Sequence, residues 1–195
     1  MTAYPEIYVL RHGQTEWNVA GRHQGRSDSP LTEVGRAQAR RQGAILKSAG
    51  VGGRGLPAYC SPQGRAAATA DLALAPIAAV PTLDDRLREV SMGAWEGLTM
   101  EEIEARRPEL FFAGIDPLMR HFEAPGGESF DATCARCLDF LESLTAPSVI
   151  VTHGITSRVL RGLWLGLGAD GMCDMPGGQG CVYHLCEGRQ TRLSA

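Results

Sequence analysis

The sequence predicts an α/β fold, a three-layer sandwich with a mostly parallel central sheet flanked by helices. Three observations predict it. Short apolar runs suited to buried strands alternate with longer helical patterns along the 195 residues. No internal repeat or linker divides the chain, which reads as one domain, 1–195. Two apolar runs end in the same phrase, His12-Gly13 and His153-Gly154. Ligands of open α/β sheets sit beyond the carboxyl ends of strands, so these two histidines are candidates for one shared site.

The elements follow in order. Residues 7–10 form a buried strand after Pro5 and run into Arg11-His12-Gly13. Residues 21–30, rich in Gly, Ser and Asp, are a loop. Thr32 caps a helix to about residue 48, with Val34, Ala37, Ile45 and Leu46 on its buried face. Residues 58–60 are a second strand. Ser61-Pro62 reads as N-cap and first residue of an alanine-rich helix that Pro76 stops. Residues 78–83 are a third strand. Thr99 with Glu102 forms a capping box that opens a helix ending near Pro108. Residues 110–125 are irregular and carry Phe111, Phe112, Met119 and Phe122. Ser129 caps a helix to about 144, with Phe130, Cys134, Cys137, Leu138 and Leu141 on one face. A strand at 148–151, a helix at 155–167, a glycine-rich loop at 170–180 and a strand at 181–186 complete the chain, with Gly188 at a hairpin turn.

Composition narrows the function. A hydrophobic content of 44% supports one sizeable core, and a net charge of −3 offers no general basic surface for nucleic acid or an anionic membrane. No apolar run reaches membrane-spanning length, and residues 1–10 lack a secretory pattern, so a cytoplasmic location and reduced thiols are expected. Cys134 and Cys137 have Cys-x-x-Cys spacing. The further ligands available, Cys181, His184 and Cys186, lack a finger-like spacing. The pair therefore reads as core, and no metal is expected. His23, His121 and His184 read as ordinary surface or packing histidines.

Lys47 is the only lysine, so the cationic side chains are almost all arginine, whose planar fork suits phosphate. Phosphoryl transfer without a metal needs an in-line nucleophile, cations around the equatorial oxygens and a proton donor on the leaving-group side. His12 can be the nucleophile as neutral imidazole. Arg11 and Arg65 can supply fixed charge, Arg65 from the first turn of a helix, and His153 adds a third cation if protonated.

The segment Arg11-His12-Gly13-Gln14-Thr15-Glu16-Trp17-Asn18 resembles the signature of the histidine phosphatase superfamily, the phosphoglycerate mutase-like fold. The resemblance continues in order at residues 21–25, 31–35 and 61–66. It recurs at Leu87-Arg88-Glu89 with Gly93-Ala94-Trp95-Glu96-Gly97, at residues 125–129 and at residues 151–154. It implies that His12 becomes phosphohistidine, that Arg11, Arg65 and His153 hold the phosphoryl oxygens, and that Glu89 protonates the leaving oxygen and then activates water. Asn18, Gln24, Gly25 and Gly154 would line the phosphate pocket, and a small cap around 98–125 would cover it. No metal or organic cofactor is required.

The expected activity is hydrolysis of a small phosphorylated metabolite. The alternative is a 2,3-bisphosphoglycerate-dependent phosphoglycerate mutase, which resembles a longer chain with a basic insertion after the catalytic acid. Here that stretch is short, and Arg106, Arg107 and Arg120 are separated by apolar side chains. A second alternative is a catalytically silent phosphate-binding module, against which the intact set Arg11, His12, Arg65, Glu89 and His153 speaks. The cap phenylalanines either form a wall selective for bulky esters or pack the cap. The loop at 175–180 is richer in glycine than in relatives, and Gln179 is its candidate phosphate neighbour. A homodimer is open.

Overall fold

A computed structural model describes residues 4–194. Its six strands lie in the order β3-β2-β4-β1-β5-β6. β1 (Ile7–Arg11), β2 (Ala58–Cys60), β3 (Pro81–Leu83) and β4 (Ser148–Thr152) run parallel, while β5 (Val182–Cys186) and β6 (Arg189–Leu193) add an antiparallel edge. The sheet is mostly parallel, as predicted.

Alternation along the central strand builds two cores. Ile7 and Val9 face a cluster with Phe140, Leu141, Val159 and Leu160, which come from α7 (Phe130–Ser143) and α8 (Gly154–Leu165). Tyr8 and Leu10 face the other cluster, with Leu46, Ala70 and Ala73 from α2 (Glu33–Ser48) and α3 (Gly64–Leu74). A third, smaller cluster joins Met92 and Trp95 to Ile103 and Leu110. It holds together α4 (Met100–Arg106), the helix expected after Thr99, and α5 (Glu109–Phe112), while α6 (Pro117–Arg120) sends Leu118 into the first cluster; α5 and α6 are short helices where an irregular segment is expected. A one-turn helix, α1 (Glu16–Val19), follows β1, and α9 (Ala169–Cys173) occupies the start of the segment read as a loop. No helix among the described residues is long and apolar enough to cross a membrane.

The caps at Thr32, Thr99 and Ser129 form as read. Three readings change. Val34 and Ala37 are exposed, and α2 instead buries Gly35, Ala39, Gln42, Gly43, Ile45 and Leu46. Small residues are selected there because α2 lies close on α3: a Cβ on Gly43 would meet the Ala73 carbonyl oxygen at 2.7 Å. The N-cap of α3 is Gln63, and the Ser61 hydroxyl, which accepts from the Gln63 amide at 3.3 Å, also lies 2.7 Å from His153 Nε2. In α7, Phe140 takes the fully buried place and Leu138 is half-buried.

Candidate active site

The site forms where parallel strands end side by side. Arg11 is in register with Thr152, and the His12 amide donates to the Thr152 carbonyl at 2.9 Å. His12 and His153 therefore leave neighbouring strands together, their ring centroids 5.2 Å apart. The turn after His12 is tight. A Cβ on Gly13 would fall on the Gly35 carbonyl oxygen, and one on Gly35 would fall on the Gln14 carbonyl oxygen. Glycine at both positions lets the β1 turn seat against the start of α2.

His12 is buried, and its Nδ1 lies 2.8 Å from the Gly13 carbonyl oxygen. A carbonyl only accepts, so Nδ1 carries the proton and Nε2 keeps its lone pair. Burial, then the charges of Arg11 and Arg65, hold the imidazole well below its usual pKa. It is neutral and nucleophilic at pH 7.

Arg65 sits in the first turn of α3 with 1% exposure. Its Nη1 donates to the Ser27 carbonyl at 2.7 Å and pairs with Asp28 at 2.9 Å, and its Nη2 donates to the Gly25 carbonyl at 2.9 Å. Gly25 has φ +52°, and a Cβ there would meet Glu96 Oε1 at 2.5 Å. That carboxylate accepts from the amides of Arg26 and Ser27 and so fastens the loop from below. Arg11 lies against Gly154, where a Cβ would come within 3.3 Å of the guanidinium. Burial lowers the Arg11 pKa. Three buried nitrogens here have no hydrogen-bond partner: Arg11 Nε, Arg65 Nε and His153 Nδ1. Orphaned polar atoms on this scale suit a site built for a polar ligand.

His153 is fully buried, and burial followed by Arg65, His12 and Arg11 drives its pKa well down. It is neutral in the free protein, so the condition attached to a third cation, protonation, is not met there. Its standing contribution is a ring nitrogen, and protonation there requires an anion beside it.

Glu89 is 9% exposed and lines the same cavity. Its amide donates to Gln63 Oε1 at 2.7 Å. Its carboxylate is held at the N-terminus of α8: Oε1 accepts from the Thr156 amide and hydroxyl, both at 3.0 Å, and Oε2 from the Ile155 amide at 3.2 Å. Arg136 reaches the same hydroxyl at 3.4 Å.

Asn18, Gln24, Gly25 and Gly154 also line the cavity, whose volume is about 310 Å³. All nine residues singled out from the sequence thus belong to one neighbourhood, and His153 reaches it through His12. The Gln179 side chain donates to the His12 carbonyl and to Asn18 Oδ1, each at 3.1 Å, so it braces the backbone at His12.

Other readings change. His23 and His121, read as surface or packing histidines, do pack, edge to face on each other at 5.3 Å, but they do so on the cavity wall. Burial pushes His23 down to about 4 and also lowers His121. Their signal in the sequence was only His23's place one residue before Gln24. The cap phenylalanines do not line the cavity. Phe122 packs on Phe130, Phe111 lies under Arg120 and Phe112 is 84% exposed. The apolar wall comes from Met92, Pro117, Leu118 and Ile155. Cys137 and Cys181 are buried free thiols in the core, and His184 stacks on Tyr8. Of two further cations on the cavity, Arg22 lies within the 21–25 block of the resemblance without having been singled out, and Arg158 had no distinguishing signal.

The sequence profile of the histidine phosphatase superfamily (branch 1) matches residues 7–193. The chain belongs to the histidine phosphatase superfamily. Among its relatives in this superfamily, a probable phosphoglycerate mutase GpmB of Erwinia tasmaniensis is 34% identical over 170 residues, 85% of this chain and 77% of that one. The structure is similar to a mycobacterial glucosyl-3-phosphoglycerate phosphatase, with 31% identity, 93% and 91% of the two chains covered, and a TM-score of 0.80. It is also similar to a phosphoglycerate mutase from Thermus thermophilus, with 36% identity, 97% and 99% covered, and a TM-score of 0.73. Histidine phosphatases and mutases therefore both stand among the relatives.

Proposed function

We propose that the chain hydrolyses small phosphate monoesters through a phosphoenzyme on His12. The observation that carries this reading is the shared cavity of His12 and Glu89, one a neutral imidazole with a free Nε2 and the other a carboxylate fixed at a helix N-terminus. In the first step Nε2 bonds to phosphorus as the ester P–O bond breaks. Arg11, Arg65, His153 and nearby amides stabilise the oxygens, and Glu89, which enters this step as the carboxylic acid, gives its proton to the leaving oxygen and is left as the carboxylate. In the second step Glu89 takes a proton from water as that water attacks the phosphohistidine. Inorganic phosphate leaves and both groups are restored. The scheme uses no metal or organic cofactor.

Water rather than a sugar-acid hydroxyl is favoured as acceptor by the cap. Arg107 pairs with Glu109, and Arg120 donates to the Ile115 carbonyl while lying over Phe111. Neither lines the cavity, and nor does Arg106. The cap therefore lacks the cationic wall that would retain a bisphosphate between half-reactions. The mutase reading draws on the relatives' names and on Arg22 and Arg158 elsewhere in the cavity.

A parallel assay separates the two. Phosphate release from a panel of monoesters is compared with interconversion of 2- and 3-phosphoglycerate in the presence of the bisphosphate. We expect phosphate release to exceed interconversion by about tenfold or more. Faster interconversion would replace this reading with the mutase, and no turnover of any ester would leave a phosphate-binding module.

A further inference from the structure

Arg161 of α8 lies outside the cavity, with 1% exposure, and no carboxylate among the described residues pairs with it. Burial pulls its pKa down to about 10, so it is charged at pH 7. A buried cation without an acid is costly, and its donors must be satisfied. Here neutral oxygens from three segments satisfy them. Nε donates to the Ser157 carbonyl and hydroxyl oxygens within α8, both at 3.1 Å. Nη1 donates to Gln190 Oε1 on β6 at 2.7 Å, and Nη2 donates to the Pro176 carbonyl in the glycine-rich loop at 2.9 Å. The guanidinium also lies 3.8 Å over the Tyr183 ring on β5. A planar fork can tie these segments together, whereas the single nitrogen of a lysine cannot reach them all.

The arginine holds the loop, and the loop holds the turn after β1. The carbonyl after that of Pro176, on Gly177, accepts from the Tyr183 hydroxyl at 2.7 Å. At the far end the Cys181 carbonyl accepts from Gln42 Nε2 at 3.0 Å, and the same nitrogen donates to the Arg11 carbonyl at 2.9 Å. Between these anchors lie Gly178, Gln179 and Gly180. Glycine loses more freedom than other residues when it is ordered, so the place of Gln179 depends on the anchors. Gln179 Nε2 donates to the His12 carbonyl and to Asn18 Oδ1. The His12 amide donates to the Thr152 carbonyl. The His12 backbone is thus held from β4 on one side and from the loop on the other.

We infer that Arg161 is a positioning residue for phosphoryl transfer: by clamping Pro176 it fixes Gln179, and through Gln179 the His12 backbone and Asn18, so that His12 Nε2 stands in line with the phosphorus. This rests on the phosphate-ester reading above, but part of it is measurable without catalysis. A misplacement of about 1 Å at a reacting atom costs on the order of 100-fold in rate, so a clamp that never touches substrate can govern kcat. Binding of the phosphoryl oxygens depends instead on the Arg11 and Arg65 guanidinium groups, which the clamp does not hold.

The test is a double-mutant cycle of Arg161→Gln and Gln179→Ala with p-nitrophenyl phosphate, rates being taken per folded molecule. Arg161→Gln should lower kcat about tenfold with KM changed less than about threefold, and in the Gln179→Ala background it should cost less than about twofold. A second readout needs no turnover. Orthovanadate adopts the trigonal bipyramidal geometry that requires His12 Nε2 in line, while inorganic phosphate needs only the cationic pocket. Calorimetry should show vanadate weakened about tenfold by Arg161→Gln and phosphate changed less than about threefold. Arg161→Lys should restore part of both effects. If Arg161→Gln does not fold, Tyr183→Phe, which frees the Gly177 carbonyl and leaves the arginine in place, should show the same pattern at smaller size. Losses that multiply in the double variant, wild-type kcat in Arg161→Gln or in Gln179→Ala, or vanadate and phosphate weakened alike overturn the inference. If the vanadate effect is found in a protein that hydrolyses no ester, the positioning role stands and the phosphatase reading falls. If esters are hydrolysed and the losses multiply, only the positioning role falls.

Discussion

At the scale of single residues, the proposed chemistry depends on two neutral imidazoles and one carboxyl group fixed at a helix N-terminus. Glu89 as proton donor makes a selective prediction. Glu89→Gln should reduce kcat about 100-fold or more on alkyl esters, whose leaving oxygen needs the proton, and much less on p-nitrophenyl phosphate, whose leaving group does not. Steady-state rates on the two classes check this, and equal losses on both would remove Glu89 from that role. The buried histidines make a second prediction, in stability. Burial and neighbouring arginines depress the folded pKa values of His12 and His153. Once unfolded, both imidazoles take up protons near pH 6.5, so below that pH the unfolded state binds more protons and stability falls as pH falls. Above it the difference vanishes. Denaturant titrations from pH 5 to 8 should show this slope, and His153→Ala should reduce it below pH 6.5 by up to about 1.4 kcal/mol per pH unit. The identities of Arg11, His12, Arg65, Glu89 and His153 were legible because charged residues followed strand ends and helix starts in a recurring order. The neutrality of His153 was not, since it follows from burial and from three groups distant in sequence.

At the scale of elements, the site is assembled by turns and helix N-termini. α8 presents the amides that hold Glu89, α3 presents Arg65, and the β1 turn presents His12. The turn depends on the meeting of Gly13 with Gly35. Gly35→Ala would place a methyl on the Gln14 carbonyl oxygen, backbone against side chain with no rotamer to relieve it. We expect a loss of about 2–3 kcal/mol in stability, or failure to fold, with activity lost in whatever folds. Urea denaturation checks the first and specific activity of the soluble fraction the second. Near-normal stability would mean that the turn can shift. Side-chain caps at Thr32, Thr99 and Ser129 were readable because their signal is local. The N-cap of α3 was misread as Ser61, whose hydroxyl also serves His153 across 92 positions, a demand that no local signal shows. The buried face of α2 was misread for a similar reason: the β1 turn demands Gly35 and the close approach of α3 demands Gly43, and only these neighbours, distant in sequence, turn that face inward in place of Val34.

At the scale of the whole molecule, the parallel pairing of β1 with β4 joins the two His-Gly phrases, and the strand order puts that pair at the centre of the sheet. The alternation of strand and helix carried this topology in the sequence. The outer cavity was far less legible. Arg22 with His23, His121 and Arg158 come from three separated segments, and nothing local marks these segments as facing one another. The glycine-rich loop gains a meaning only in three dimensions, with Gln179 bracing His12 and Asn18 and Gly177 making room for Arg158. The proposed function makes all of these parts serve one event, transfer of a phosphoryl group to His12 Nε2. Rapid quench of the enzyme with a labelled phosphate monoester, followed by peptide mass spectrometry, tests it most directly. The account predicts an acid-labile, base-stable phosphoryl group on His12, absent from His12→Ala together with at least about 10⁴-fold of turnover. Turnover that survives in His12→Ala, or a label on another side chain, would contradict it.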